Sequence, residues 1–257
     1  MKIFNRYVGI DYSGAKAPVS RLPQLQVYSG DETGIIGAVK PTDTGARNWC
    51  RKEVAAYVKR ILLNDERAII GIDHGFSFSK DYFLRNKLSD WDEFLIHFCR
   101  HWPTERDHMY VEFIRRDQEV PIGKATEYRL CELWTTNAKS LFHFDVQGSP
   151  AKSTHAGLPW LNALRRDPRV RKTTHFWPFD GFTIEEGKSV VAEAYPSLFR
   201  RRYPSAVRTA DQQDAYVIAK WLSDMDKRGT LSDCMNPPLT LPERQKAKIE
   251  GWILGVR

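Results

Sequence analysis

The sequence predicts an α/β protein, and two patterns support this. Short apolar runs of β type end in turns that contain glycine, and longer segments carry apolar residues at helical spacing. The 257 residues, 42% of them hydrophobic, can fill one large domain or two small ones, and we expect a single domain over residues 1–257. No stretch of 18 or more apolar residues occurs, so we expect no membrane-spanning helix.

The first part of the chain predicts an antiparallel unit, then a helix and a further strand. Residues 7–11, 25–28 and 34–39 are short β segments joined by short links. Such links favour an antiparallel meander, because parallel neighbours require a longer crossover. Residues 44–63 carry an apolar stripe that predicts a helix, and residues 68–73 predict a fourth strand.

The middle of the chain is less regular. Residues 90–101 predict a helix and residues 124–138 include another, while polar, proline-bearing connections such as residues 147–159 predict loop. We therefore expect a mostly helical insertion over approximately residues 80–175, between the fourth and fifth strands.

Regular order returns after this insertion. Residues 188–196 predict the fifth strand, and residues 197–203 predict an arginine-rich helix. Thr209 begins a further helix, with Gln212 three positions later as in a capping box. Residues 242–256 predict a final amphipathic helix.

The chain is basic, with a formal net charge of +7 and a pI of about 9.2. The excess is concentrated in residues 165–172 and 200–202, and such patches attract polyanions, of which nucleic acid is the commonest in a cytoplasm. A modestly basic pI also occurs in proteins without a nucleic-acid role, so charge alone leaves the partner open. The candidate contacts to a nucleic-acid backbone are Lys152, Arg165, Arg166, Arg200, Arg201 and Arg202.

The cysteine pattern and the N-terminal segment predict a cytoplasmic protein. Cys50, Cys99, Cys131 and Cys234 are scattered, without a Cys-x-x-Cys pair. This suits a reducing compartment and indicates neither a disulfide framework nor a cysteine zinc site. Residues 1–6 lack the long apolar segment of a signal peptide.

The tripeptide Gly-Ile-Asp occurs twice, each time at the end of an apolar run. Asp11 ends the first predicted strand and Asp73 the fourth, and each precedes a turn that contains glycine. A carboxylate at the end of a core strand is poorly solvated unless it is hydrogen-bonded, paired or bound to a metal ion. Two such strands side by side would bring the acids together, although each Asp can also simply cap its turn.

Three later acids extend this pattern. Asp211 and Asp214 share one face of the helix from Thr209, and that face continues as an apolar stripe. Asp211 lies in the first turn, where an acid also complements the helix dipole, whereas Asp214 lies past the capping positions. Glu193 interrupts the apolar fifth strand. It is buried if that strand is parallel and covered by helices, and solvated if one sheet face is open.

Together these acids predict a site for metal-dependent hydrolysis. Crowded carboxylates repel each other and need cations to remain ionised, and oxygen ligands favour Mg²⁺ or Mn²⁺. Two such ions about 4 Å apart would stabilise the attacking and leaving oxygens of phosphodiester cleavage. The predicted catalytic residues are Asp11, Asp73, Glu193 and Asp214, and the predicted metal ligands are Asp11, Glu193, Asp211 and Asp214.

The order of elements and acids resembles the ribonuclease H-like fold, a mixed five-stranded sheet with acids on its first strand, later strands and last helix. More closely, the chain resembles the family catalogued as domain of unknown function 429, described as predicted nucleases of that fold. The resemblance covers nearly the whole chain through Val8-Gly9-Ile10-Asp11, Gly71-Ile72-Asp73, Gly157-Leu158-Pro159-Trp160-Leu161, Trp177-Pro178-Phe179-Asp180-Gly181, Glu193-Ala194-Tyr195-Pro196, Asp211-Gln212-Gln213-Asp214-Ala215 and Glu250-Gly251-Trp252-Ile253. It implies a two-metal nuclease site at Asp11, Glu193 and Asp214, with Asp73. Many such proteins have a histidine near the position of Asp211.

Two other functions remain open. The first Gly-Ile-Asp turn also resembles the phosphate-binding turn of actin-like and sugar-kinase-like phosphotransferases, whose backbone amides contact ATP phosphates. Those enzymes have two related lobes, and this sequence shows one strand-strand-strand-helix-strand unit. A non-catalytic nucleic-acid-binding protein would instead use the acids for structure and bind no pair of divalent metal ions.

Overall fold

The computed structural model describes residues 3–41, 45–64, 66–117, 119–136 and 138–257. Its strands are β1 (Arg6–Asp11), β2 (Gln26–Asp31), β3 (Ile36–Ala38), β4 (Ala68–Asp73), β5 (Thr174–Trp177) and β6 (Ser189–Glu193). Its α-helices are α1 (Arg51–Leu62), α2 (Lys80–Arg85), α3 (Trp91–His101), α4 (Val111–Asp117), α5 (Leu130–Leu133), α6 (Ala151–Arg166), α7 (Pro168–Thr173), α8 (Ala210–Lys227), α9 (Leu231–Cys234) and α10 (Leu241–Glu250).

The strands form one mixed sheet in the order β3-β2-β1-β4-β6-β5. β1, β2 and β3 pair antiparallel, as their short links predict, whereas β1–β4, β4–β6 and β6–β5 are parallel. The prediction of five strands was wrong by one. Edge strand β5, four buried residues that follow α7 without a turn, falls inside the segment predicted as a helical insertion.

Helices cover both faces of the sheet, because successive side chains of a strand point to opposite faces. Val8 and Ile10 of β1 belong to a core cluster that includes residues of α1, α3 and α6. Tyr7 of the same strand and Ile69 of β4 belong to a second cluster with α8. The sheet is therefore the middle layer, and its strands are buried on both sides as parallel strands usually are.

The glycines of the two Gly-Ile-Asp tripeptides allow α8 to lie directly on the sheet. A Cβ on Gly9 would stand 2.1 Å from the carbonyl oxygen of Ala215, and one on Gly71 would stand 2.5 Å from Cγ2 of Ile218. Any larger residue at either position would push the helix outward. The same two tripeptides therefore supply both the carboxylates and the close approach of α8.

Residues 147–159 were predicted as a loop, but helix α6 begins at Ala151. The loop prediction was therefore wrong for most of this segment. Gly157 packs against the ring of His74, where a Cβ would stand 2.4 Å from Nε2. Pro159 has no N–H for the carbonyl of His155, so one helical hydrogen bond is missing. Thr104 Oγ1 donates to that carbonyl at 2.9 Å instead. Tertiary partners thus compensate for residues that are typical of loops.

Two other predicted helices are shorter than expected. The predicted helix 44–63 begins at Arg51, with Glu53 accepting from the backbone N–H of Cys50; Thr44 lies outside the described residues. In the described part of residues 124–138, only Leu130–Leu133 are α-helical.

The last part of the chain follows the prediction in part, and the final helix predicted over residues 242–256 ends at Glu250. Thr209 caps α8, with Gln212 completing the predicted capping box. The arginine-rich segment forms two short 3₁₀ turns rather than a regular helix. After α10, Ile253 forms an isolated parallel bridge with Glu193. Among the described residues, every helix is too short or too polar to cross a membrane.

Candidate active site

The two Gly-Ile-Asp aspartates lie side by side. β1 and β4 are parallel neighbours in which Asp11 is the register partner of Asp73, so their Cα atoms are one strand spacing, about 4.8 Å, apart. Glu193 pairs with Ile72, one residue before Asp73. All three acids line a cavity of about 390 Å³ at the carboxyl ends of these strands.

Asp214 reaches the same cavity from α8. Its Oδ1 is buried and accepts no hydrogen bond from the described residues, although Arg200 Nε lies 3.1 Å away as an ion-pair partner. Arg200 is otherwise exposed and also lines the cavity. A buried carboxylate oxygen with one imperfect partner is a position that a cation can fill.

The start of α6 fixes the turns that follow both aspartates. Gly14, three residues after Asp11, approaches so closely that a Cβ would stand 2.0 Å from the carbonyl oxygen of Lys152. Gly75, two residues after Asp73, donates its backbone N–H to Thr154 Oγ1 at 2.9 Å. Helix α6 therefore requires a glycine at position 14, whereas at Gly75 a Cβ would meet the side chain of Leu141 at 2.6 Å.

A buried arginine secures the loop after Asp11 from the other side. The guanidinium of Arg51 donates to the backbone carbonyls of Ser13, Ala15 and Lys16 at 2.7 to 3.2 Å. Because its side chain is fully buried, this clamp excludes water from the base of the loop.

Burial and mutual repulsion hold protons on the acids. Burial is the largest cause that raises the pKa of Asp11 to about 9, and the charges of Asp73 and Asp214 add to it. Burial also raises the pKa of Asp73 well above its usual value, followed by the charge of Asp214. The pKa of Asp214 rises to about 6 through burial, against the lowering effect of Arg200. A bound divalent cation would replace these protons.

Glu193 lies beside the cavity but is already paired. Its Oε2 accepts from Arg129 Nη1 at 2.7 Å and from the backbone N–H of Phe76 at 3.0 Å, and its Oε1 accepts from Arg129 Nη2 at 2.6 Å. Arg129 is buried and also bonds Glu132. The sequence analysis missed this arginine, because nothing near it in the chain indicates a partner 64 residues away.

Asp211 is not among the residues that line the cavity, although its negative charge raises the pKa of both Asp11 and Asp214. It lies in the first turn of α8. The geometry therefore favours Asp214 over Asp211 as the residue that the helix contributes to the site.

The predicted nucleic-acid contacts separate into two groups. Arg165 is not available to a ligand: its side chain is 9% exposed, forms ion pairs with Asp92 and Asp180, and lies over the rings of Trp91 and Phe176. Its prediction as a contact was wrong, because a basic run at the end of a helix need not be solvated on every side.

Neither Lys152 nor Arg166 lines the cavity that holds the acids. Lys152 Nζ lies 2.5 Å from Glu112 Oε1, and its side chain does not line the cavity. Arg166 is exposed at the far end of α6, about 20 Å along the helix from the cavity residue Ser153 at about 1.5 Å per residue. Arg200, by contrast, lines the cavity, and Arg201 and Arg202 follow it on the surface.

No group of three or more His, Cys, Asp or Glu side chains among the described residues is already arranged to hold a metal ion. Asp214 instead faces Arg200, as expected for acids that repel each other without a cation between them. Comparison of the chain with family models, curated proteins and solved structures finds no match.

Proposed function

We propose that this chain is a ribonuclease H-like nuclease that hydrolyses phosphodiester bonds with Mg²⁺ or Mn²⁺. The observation that carries the proposal is the register pairing of Asp11 with Asp73 on parallel strands, with Asp214 entering the same cavity from α8. The antiparallel unit β1–β3, joined to parallel strands and to the helix α8 that carries Asp211 and Asp214, supports the same assignment. On this view, the segment between β4 and β6 is an insertion into the ribonuclease H-like fold.

Asp11, Asp73 and Asp214 would hold the cations, which supply charge stabilisation at the phosphate and a more acidic water. Hard carboxylate oxygens suit Mg²⁺ and Mn²⁺. Glu193 keeps Arg129 as its partner and holds the wall of the cavity. Arg200 would exchange its ion pair with Asp214 for one with a substrate phosphate, because a guanidinium binds phosphate as readily as carboxylate.

The phosphotransferase alternative receives less support. Enzymes of that group have two related lobes, and the described residues form one sheet. The non-catalytic alternative is distinguished by metal binding, which the following experiment measures directly.

The test is a crystal of the protein soaked in Mn²⁺, together with calorimetric titration of Mn²⁺ in solution. We expect anomalous density between Asp11, Asp73 and Asp214, and Mn²⁺ affinity at least tenfold lower in Asp11→Asn and Asp214→Asn. In an assay that offers RNA and DNA, single- and double-stranded, we expect the same variants to lose at least a hundredfold in rate. Asp224→Asn, on the same helix but paired with Lys220, is the matched control and should bind Mn²⁺ normally.

A soaked crystal without an anomalous peak in the cavity would exclude the metal site. Unchanged hydrolysis in Asp11→Asn would exclude the acids from catalysis even if Mn²⁺ binds.

A further inference from the structure

We propose that the substrate is a single-stranded polynucleotide, and that it crosses Arg200 between two basic surface grooves which flank the cavity. This inference rests on the proposed function for the position of the cleaved bond. The proposed path depends on Arg200, because this residue lines the cavity and both grooves. A polymer that follows the grooves would therefore place one phosphate above the acids.

The first groove, here called the arginine groove, lies between the 3₁₀ turn at Arg200–Arg202 and the start of α8. Arg200, Arg201, Arg202 and Arg208 line it, and no Asp or Glu does among the described residues. Arg208 is fixed by Gln213 and by the ring of Tyr216. The side chains of Arg201 and Arg202 form no ion pair with any described residue, so their charges are available to a polyanion.

The second groove, here called the tryptophan groove, shares Arg200 and Arg201 with the first. Trp134, Arg201 and Arg257 contribute to its lining, again without an acid among the described residues. Trp134 is 37% exposed and packs edge-to-face on the buried Trp252, with ring centroids 5.5 Å apart. An exposed, anchored aromatic ring beside arginines is the combination on which unpaired bases stack.

Three features favour a single strand over a duplex or a free nucleotide. The cavity of about 390 Å³ is near the lower end of the range for small-ligand pockets, about 300–1,000 Å³, so a nucleotide can enter it and a paired helix cannot. Trp134 can stack only on a base that is not already stacked within a duplex. The two grooves provide positively charged surface outside the cavity. A single nucleotide bound in the cavity would not contact that surface.

The other basic run does not provide an equivalent path. Arg165 is buried in ion pairs, and Arg169 pairs with Asp167. Arg166 and Arg171 are exposed but lie at the end of α6 remote from the cavity. These two arginines are therefore a matched control for the arginines of the grooves.

The experiment is fluorescence anisotropy with labelled oligothymidylate, from a trinucleotide to about 16 nucleotides, and with a duplex of the longest length. Measurements in EDTA prevent hydrolysis and make binding independent of any metal ion. The salt concentration is varied between about 50 and 200 mM. We expect affinity to rise with length and then level off, and the duplex to bind at least tenfold more weakly than the single strand.

Variants then locate the path. Because each phosphate contact contributes about 0.7 to the slope of log affinity against log salt for a single strand, Arg201→Gln with Arg202→Gln should reduce the slope by about 1.4. Arg166→Gln with Arg171→Gln should leave it unchanged. Trp134→Ala should weaken binding about tenfold, and Trp134→Phe should restore most of the loss because it keeps an aromatic face.

Equal reduction of the slope by both arginine pairs, affinity independent of length, or equally tight binding of the duplex would each overturn the proposal. Oligonucleotide binding that follows these expectations, without hydrolysis when Mn²⁺ is added, would preserve the surface assignment and count against the proposed nuclease function. Hydrolysis restricted to dinucleotides, with no binding of the longer strands, would do the reverse.

Discussion

At the scale of single residues, environment separates acids that look alike in the sequence. Asp11 and Asp73 end identical tripeptides and share a cavity, and burial raises the pKa of both carboxyls above the usual value, that of Asp11 to about 9. Glu193 ends the next strand at almost the same level, but the buried Arg129 takes both of its oxygens. The difference between a candidate metal ligand and a structural ion pair is therefore the presence of one arginine.

The pKa of Asp11 predicts how pH affects the stability of the metal-free protein. Its folded-state pKa of about 9 exceeds its usual value of 3.8, so above pH 3.8 the folded state binds more protons than the unfolded state. The free energy of unfolding therefore falls as pH rises towards about 9. Burial lowers the pKa values of His74 and His155 to about 4 and about 3, so both are neutral in the folded state, and at pH values well above about 6.5 they are neutral in the unfolded state as well.

Urea unfolding in EDTA between about pH 7 and about pH 8.5 measures this effect. Asp11→Asn should be less sensitive to pH than the wild type, by up to about 1.4 kcal/mol per pH unit for one proton. Mn²⁺ should stabilise the wild type more at the higher pH. Parallel pH profiles for the two proteins would contradict the assignment of a raised pKa to Asp11.

At the scale of elements, the contact between α8 and the sheet determines the position of the site. Gly9 and Gly71 lie under α8, and the helix brings Asp214, immediately before Ala215 and one turn before Ile218, to the cavity. Helix α6 performs a similar role from the other face, through Gly14 and Gly75. The positions of the acids thus depend on two helices seated on glycines.

Gly9→Ala tests this dependence. The added Cβ would stand 2.1 Å from the carbonyl oxygen of Ala215, so α8 must move, and we expect a loss of about 1–3 kcal/mol in the free energy of unfolding. We also expect weaker Mn²⁺ binding, because Asp214 moves with the helix. Gly37→Ala in β3 is the control: it has open space around its Cβ and should change stability by less than about 0.5 kcal/mol. Equal effects of the two substitutions on Mn²⁺ affinity would exclude the helix position as the cause.

At the scale of the whole molecule, a buried ionic network joins the sheet to the helices around it. Arg129, at the start of α5, bonds Glu193 at the end of β6 and the backbone carbonyl of Glu250 at the end of α10. The carboxylate of Glu250 accepts from the backbone N–H groups of Lys80 and Leu130. Four segments that are distant in sequence therefore meet in one network, in which Arg129 and Glu193 line the cavity.

Arg129→Met should destabilise the fold by about 3–5 kcal/mol, because it leaves Glu193 buried without its charged partner. Arg129→Met combined with Glu193→Met should recover part of this loss, because it removes one of the two buried carboxylates that lose their partner, while Glu132 remains. Thermal or urea unfolding measures both. If Glu193 is structural, the double variant still binds Mn²⁺, whereas loss of Mn²⁺ binding in a folded double variant would make Glu193 a ligand.

The sequence alone determined the class of fold and the acids worth examining. Hydrophobic periodicity and the short links of the first three strands depend on local geometry, so the meander, β4 and α8 with its Thr209 cap were predictable. Helix α6 was not predictable, because Gly157 and Pro159 disfavour a helix unless His74 and Thr104 are beside them. Helix propensity depends on a residue and its neighbours in the chain, whereas His74 and Thr104 come from other segments.

The site shows the same division. Sequence placed Asp11 and Asp73 at strand ends, since an apolar run that ends in Gly-Ile-Asp is a local pattern. Only the tertiary structure decided that the two strands are adjacent and in register, and that Glu193 is already paired with Arg129. It also decided that Arg165 is buried in ion pairs, whereas Arg200 lines the cavity that holds the acids. The physical reason is that burial and charge pairing depend on groups far apart in the chain, whose meeting is set by packing rather than by spacing.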